Sequence, residues 1–461
     1  MKRVINLLST RLSHFAERWV PDPMLIAILL TLLTLILASV WGKEGLNTND
    51  IIQIWGSGLW KLLPFAMQMC LVLITGHALA SAPIIRRVVD RVAKTVSNES
   101  MAVILTAVLS MCAGLLNWGL GLIVGAFMAR EVGQSCVKQG IKVHYPLLGA
   151  AGYTGLLVWH GGLSGTAPLK VTQLKDLSEI TKTQQVIPLT DTLFGQTNLL
   201  LVGGLLILVP LLLNMMQPQN KEETKSADLW LETVPIESQK SETKELSSIT
   251  TPGNSPATWF ENNRIPSTFL GLLLTAAFFL NSKDIGLSNL NLDMINLGVL
   301  ALGLLLHPSL ISYGKAAQEA AKNTAGIILQ FPLYSGIMTV MSGTGLTTIL
   351  ASWVTTIAST DSLASFTFLM AGLVNLFVPS GGGQWAVQGP LVLESAQTLN
   401  TSVGKAVIAF AHGDAWTNML QPFWALPLLA ITGLKAREIV GYTAAIMLMT
   451  LPWYLVVFWF F

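Results

Sequence analysis

Charge is what this sequence has least of. Only 11% of its 461 residues are Asp, Glu, Lys or Arg, with 27 basic against 25 acidic and a formal net charge of +2. Neither a strongly basic nor a strongly acidic surface fits that balance, so no nucleic-acid partner is expected. Cysteine is scarce as well. Cys70, Cys112 and Cys136 fall in or beside apolar segments without paired or metal-ligand spacing, and read as small buried hydrophobes. The chain has no HExxH, no Walker loop, no nucleophile elbow and no Cys or His cluster with metal spacing. GGGQW at Gly381 to Trp385 is not the GxGxxG of a strand-turn-helix unit. An enzyme is therefore not expected, and no cofactor either, a bound Na+ being the one ion the sequence leaves open.

Apolar residues are what the chain has in excess: 52% of it is hydrophobic and its mean hydropathy is +0.59. Such a composition belongs to a multi-pass protein of the lipid bilayer. Lys2, Arg3, Arg11 and Arg18 precede the apolar run Met24 to Trp41 with no small-residue cleavage site after it. This predicts a retained first helix with a cytoplasmic N-terminus. Spans are expected near Met24 to Trp41 and Leu62 to Ala82, joined by amphipathic Ile51 to Trp60, with a basic surface helix carrying Arg86, Arg87, Arg91 and Lys94. Met101 to Met128 is uncharged, too long for one span and too short for two. Its interruption at Asn117 to Gly121 predicts a re-entrant hairpin. Pro146 to Pro168 is a span interrupted by Trp159, His160, Gly161, Gly162 and the run Ser164 to Pro168, and Asn198 to Met216 closes the half.

Residues 217–264, rich in Lys, Glu, Ser and Thr, read as a flexible cytoplasmic linker. After it come spans at Ile265 to Leu280, Met294 to His307 and Ile327 to Val340, with surface helices at Gly314 to Asn323 and Leu346 to Ile357. A second hairpin is expected at Ser362 to Gln397, a span broken at His412 to Trp416, and a last span at Ile439 to Phe460. The order of elements repeats, and an extra span changes the parity. The fold class that follows is an all-α polytopic membrane protein of about nine to eleven spans. Residues 1–216 and 265–461 form inverted repeats, each with a re-entrant hairpin and a broken transmembrane helix. Paired breaks of this kind point to a secondary transporter with a midplane site.

The richest of these breaks is Val378 to Pro390, VPSGGGQWAVQGP. Pro379 removes a donor and Gly381, Gly382 and Gly383 free the backbone, so amides can converge on an anion before a helix resumes at Trp385. Ser380, Gln384 and Gln388 add neutral polar groups. Asp414 is the most isolated intramembrane acid, followed by Glu394, and Asp414 is expected to handle the coupling ion. Asn375, Asn418 and His412 are placed with it; Asn117, Ser164, Thr166 and Trp416 are placed with the substrate. For Asn117 and Asn375, capping of exposed backbone is the competing role. Trp159, Trp385 and Trp416 either wall a small site or pack. No Lys or Arg lies deep in a broken segment, so the anion is expected to meet amides and hydroxyls rather than a salt bridge.

These same residues carry a resemblance. RWVPDPMLIAILLTLLT at Arg18 to Thr34, ITGHALASAP at Ile74 to Pro83, NWGLGLIVGA at Asn117 to Ala126, VPSGGGQWAVQGP, and QPFWALPLLAI at Gln421 to Ile431 closely resemble the bacterial short-chain fatty acid transporters. The chain is also similar to the larger ion-transporter superfamily. The resemblance implies an inner-membrane carrier for small monocarboxylates such as acetoacetate and butyrate, working as a homodimer. A carrier of the same fold for dicarboxylates or amino acids and a passive anion channel are the alternatives.

Overall fold

The structure, a computed structural model, describes residues 23–43, 45–174, 176–177, 186–218, 224–231, 256–285, 291–322, 324–376, 381–421 and 424–461. Among them there are helices and no strands. Seven helices are long and apolar enough to cross a membrane, and three shorter apolar ones accompany them. The N-terminal basic residues, most of the expected linker, and Val378, Pro379 and Ser380 lie outside the described residues.

The first half begins with α1 (Pro23–Trp41), α2 (Thr48–Gly58), α3 (Leu63–Ser81) and α4 (Pro83–Lys94). An Asn47/Asp50 capping box opens α2, and Pro64 sits in the first turn of α3, where its missing N–H costs nothing. A hairpin follows, α5 (Glu99–Leu116) and α6 (Trp118–Lys138). Then comes the first broken segment: α7 (Tyr145–Tyr153), α8 (Gly155–Val158), a 3-10 turn at Trp159–Gly161, and α9 (Thr166–Lys170). The half closes with α10 (Gln196–Met215).

Short α11 (Asp228–Leu231) and α12 (Pro256–Asn262) precede α13 (Arg264–Ile285), α14 (Leu292–Leu306), α15 (Leu310–Ala321), α16 (Ala325–Gly343) and α17 (Leu346–Ile357). The second interruption separates α18 (Leu363–Asn375) from α19 (Gly381–Thr398). The second broken segment is α20 (Val403–Thr417), a 3-10 turn at Asn418–Leu420, and α21 (Leu426–Thr432); α22 (Ala436–Phe460) ends the chain.

Four details differ from the sequence expectation. The first interruption is a single extended residue, Asn117, and its arms run 18 and 21 residues, well past Met128. The glycines around it pack rather than unwind: a Cβ on Gly121 would sit 2.4 Å from Gly114 Cα, and one on Gly125 1.9 Å from Gly152 O. The second helix resumes at Gly381, not Trp385, so the glycine triplet forms its first turn. His412 to Trp416 is helical, and the break falls after Thr417. Gly413 is there because α20 touches α18, where a Cβ would lie 2.2 Å from Phe368 O. Finally, the linker is docked at residues 225–230. Tyr145 N donates to Lys225 O (2.9 Å), Trp230 Nε1 donates to Glu438 Oε2 (3.1 Å), and Ala227 is fully buried.

Gly125→Val should force α6 and α7 apart and cost about 1–3 kcal/mol. A thermal melt of the purified protein in detergent should drop by several degrees; an unchanged midpoint would contradict backbone-to-backbone packing at this crossing.

Candidate functional site

The two broken segments and the two interruptions meet at one narrow cleft. Its walls are Met69 of α3, Trp118 at the start of α6, Leu156 of α8, Trp159, Ile327 and Phe331 of α16, Gly381 at the start of α19, Asn418, and Trp424. Among the described residues, no lysine or arginine lines it. Trp118 meets Trp424 edge-on, with centroids 5.5 Å apart, and lies 6.3 Å from Trp159. The indole N–H groups of Trp118 and Trp159 are buried without a protein partner among the described residues. A buried unpaired donor costs about 1–3 kcal/mol, which a ligand acceptor would recover. Gly381 has to lack a side chain: its Cβ would fall 2.6 Å from the Trp159 ring and 3.1 Å from Asp414 Oδ2. The positive end of the α19 dipole therefore abuts both the cleft and the buried carboxylate.

That carboxylate has a partner the sequence left unpaired. His160 Nδ1 and Asp414 Oδ2 are 2.6 Å apart, and both side chains are essentially inaccessible. Ala167 N donates to His160 Nε2 at 3.1 Å, and Trp159 stacks on the imidazole with centroids 4.3 Å apart. Asp414 Oδ1 has no hydrogen-bond partner among the described residues. His412, placed with the coupling ion by sequence, lies beside this pair on α20, but its Nε2 bonds Asn198 Oδ1 at 2.8 Å. Asn198 in turn donates to Gly161 O (2.9 Å) and Leu193 O (2.8 Å).

Several polar residues expected to face a solute instead hold main chain. Asn117 uses both ends of its amide: Oδ1 accepts from Leu120 N at 3.0 Å and Nδ2 donates to Val72 O at 3.2 Å. Ser164 Oγ accepts from Trp118 N at 3.0 Å. Asn375 Nδ2 lies within 2.7 Å of Asp414 O and 2.9 Å of both Thr417 Oγ1 and Asn418 Oδ1. Thr166 Oγ1 makes only a 3.6 Å contact with Met69 Sδ. Gln384 donates to Ala371 O and to Gln388 Oε1, inside the packing between α18 and α19.

Gly381 borders the cleft, whereas Gly382 packs against Phe65 and Phe331 behind it, and Gly383 is buried in the same turn. Trp416 does not line the cleft; it packs on Phe368 and donates to Met447 O at 2.6 Å. Ser380 lies outside the described residues.

Trp118, Trp424, Met69 and Asn198 were not singled out in the sequence. Trp118 carried a signal, since it directly follows the interrupting Asn117. Lys170 is a correction of another kind. Although it ends the first broken segment, it is 8% exposed, paired with Asp176 at 3.0 Å and set 4.2 Å over the Phe65 ring.

Comparison with known proteins shows the family. The family model described as "Short chain fatty acid transporter" matches residues 4–461. A candidate short-chain fatty acid transporter of Escherichia coli (strain K12) is 37% identical over 95% of this chain and 96% of its own length. Its counterpart in Haemophilus influenzae is 36% identical over 99% of this chain and all of its own. The crystal structure of the Alcanivorax borkumensis YdaH transporter shares the fold, with a TM-score of 0.59 at 16% identity, over 95% of this chain and 98% of that one. The matched family is one of transporters, not enzymes, and the apolar helices make this a multi-pass membrane protein.

Asn198→Leu, nearly isosteric, should strand Gly161 O, Leu193 O and the His412 N–H. Each stranded group costs about 1–3 kcal/mol, so the thermal midpoint should fall sharply. A melt matching wild type would deny Asn198 this role.

Proposed function

The chain belongs to the short chain fatty acid transporter family, and from that premise we propose that it is a secondary active carrier importing short-chain monocarboxylates, such as butyrate or acetoacetate, by cation symport. It would do so in the bacterial inner membrane, with its N-terminus in the cytoplasm and its two halves oppositely oriented around the cleft. The observation that carries this is the composition of the cleft. Two unpartnered indole N–H groups and a helix N-terminus adjoin a wall of Met69, Leu156, Ile327 and Phe331. One carboxylate can take the donors while a tail of a few carbons lies on the apolar wall. A second carboxylate would find no cation on the lining. The nearest buried one, Lys170, sits over Phe65 and is already neutralised by Asp176.

Coupling follows from electrostatics. An anion entering the cleft approaches the buried Asp414 carboxylate across Gly381, and like charges at short range in a medium poor in water repel strongly. A cation on Asp414 removes that repulsion. Cation and anion therefore favour each other's binding, and by linkage the coupling is reciprocal. Gln384 and Gln388 act as packing amides in this scheme, and Asn117, Ser164 and Asn375 keep the breaks in shape.

In proteoliposomes, labelled butyrate should accumulate against its gradient when a proton or sodium gradient is imposed. Asp414→Asn should abolish gradient-driven accumulation while still exchanging butyrate across the membrane. Trp118→Phe and Trp159→Phe should each weaken butyrate about tenfold, the equivalent of about 1.4 kcal/mol. Concentrative uptake by Asp414→Asn would reject the coupling scheme, and flux that never exceeds equilibrium in wild type would mark a passive channel.

A further inference from the structure

We infer that the buried pair on the cleft is a one-proton site in which Asp414 Oδ1 takes the coupling proton while His160 stays neutral as a fixed donor. The inference deepens the proposed symport and rests on it for its physiological meaning. It starts from two hydrogen bonds to one imidazole. Ala167 N–H donates to His160 Nε2 at 3.1 Å, so that nitrogen carries a lone pair and the ring proton lies on Nδ1. Nδ1–H then donates to Asp414 Oδ2 at 2.6 Å, a length suited to an ionised acceptor.

An added proton has two places to go. At Asp414 Oδ1, which has no hydrogen-bond partner among the described residues, it turns the carboxylate into a carboxylic acid and breaks none of the bonds given above. At His160 Nε2 it would set two N–H groups against each other and free the backbone of the turn that begins at Thr166. The first route preserves both hydrogen bonds, and the second sacrifices one in a place without water. His160 is accordingly a positioning residue, not the proton carrier.

The two hydrogen bonds of His160 favour a proton at Asp414. A sodium ion needs several converging oxygens, and those of Asp414 O, Thr417 and Asn418 beside the pair are already engaged, while Asn375 Oδ1 and Gln421 Oε1 are without a partner among the described residues. Asp414 O, Thr417 Oγ1 and Asn418 Oδ1 all turn toward the hydrogens of Asn375 Nδ2. The backbone carbonyl of Asp414 fixes that orientation of the amide. Of the other titratable groups, His412 on α20 is tied through Nε2 to Asn198, and Lys170 at the end of α9 is tied to Asp176. Phe410 and Trp159 cover the imidazole on its remaining sides.

The test uses the full-length protein in lipid nanodiscs without substrate. 15N-histidine NMR across a pH series, with His160 assigned through the signal lost in His160→Gln, should report the neutral Nδ1–H tautomer that its two hydrogen bonds require. Difference infrared spectra over the same series should show a protonated-carboxyl C=O band that vanishes in Asp414→Asn and does not respond to added sodium. His160→Ala should lose gradient-driven butyrate accumulation. His160→Gln should restore it in part, since a glutamine can donate to Asp414 and accept from Ala167 N.

A His160 imidazolium or Nε2–H tautomer in that series overturns the inference, as does a carboxyl band that survives in Asp414→Asn or is displaced by sodium. Both spectra are read without substrate. Failure of butyrate uptake therefore overturns the transport reading alone, and a charged His160 overturns this inference with uptake intact.

Discussion

A helix that stops inside an apolar protein core leaves amides and carbonyls with no water to bond, each at a cost of several kcal/mol in hydrocarbon. Everything distinctive in this molecule answers that constraint. Four interruptions lie close together, and side chains from elsewhere in the chain satisfy them. Asn117 and Ser164 hold the start of α6, Asn198 holds the 3-10 turn at Trp159–Gly161, and His160 holds the start of α9. On the other side Asn375 reaches the end of α20, while Tyr153 OH donates to Asn418 O (3.1 Å) and Gln421 O (2.8 Å). The halves are thus stitched together at their weakest points by bonds that only burial makes strong.

The candidate site is what this stitching leaves over. Polar groups that bind backbone are unavailable to a solute; of the buried groups without a partner among the described residues, the indole N–H groups of Trp118 and Trp159 and one oxygen of Asp414 are the ones beside Gly381 and the cleft. They gather where Gly381 lets α19 approach Trp159 and the carboxylate. A small anion and a cation are what such a remainder can accept: donors without charge for the one, a lone carboxylate oxygen for the other. The breaks are dispersed through both halves of the chain, so each half contributes walls to the cleft.

Much of this was legible in the sequence, and the failures are instructive. Hydropathy placed the helices because length and apolar content are local properties, and α17 falls at Leu346–Ile357 as expected. Glycine and proline located the interruptions but not their extent. A missing Cβ serves equally to free a backbone and to let two helices touch. Gly413 and Gly121 do the second, so the breaks beside them shrink or shift. Asp414 stood out as an isolated acid, whereas its partner His160 lies 254 positions away and no local pattern joins them. The same limit hid Asn198 and gave Trp416 a role at the cleft that its contacts with Phe368 and Met447 do not support.

The central claim is that a monocarboxylate sits between the two broken segments, within the bilayer, against neutral donors. A cryo-EM reconstruction of the protein in lipid nanodiscs saturated with butyrate tests it most directly. The account predicts ligand density bounded by Trp118, Trp159 and Gly381 near the middle of the lipid slab. Density elsewhere, or a reconstruction with Asn117 and Gly381 outside the slab, would contradict it.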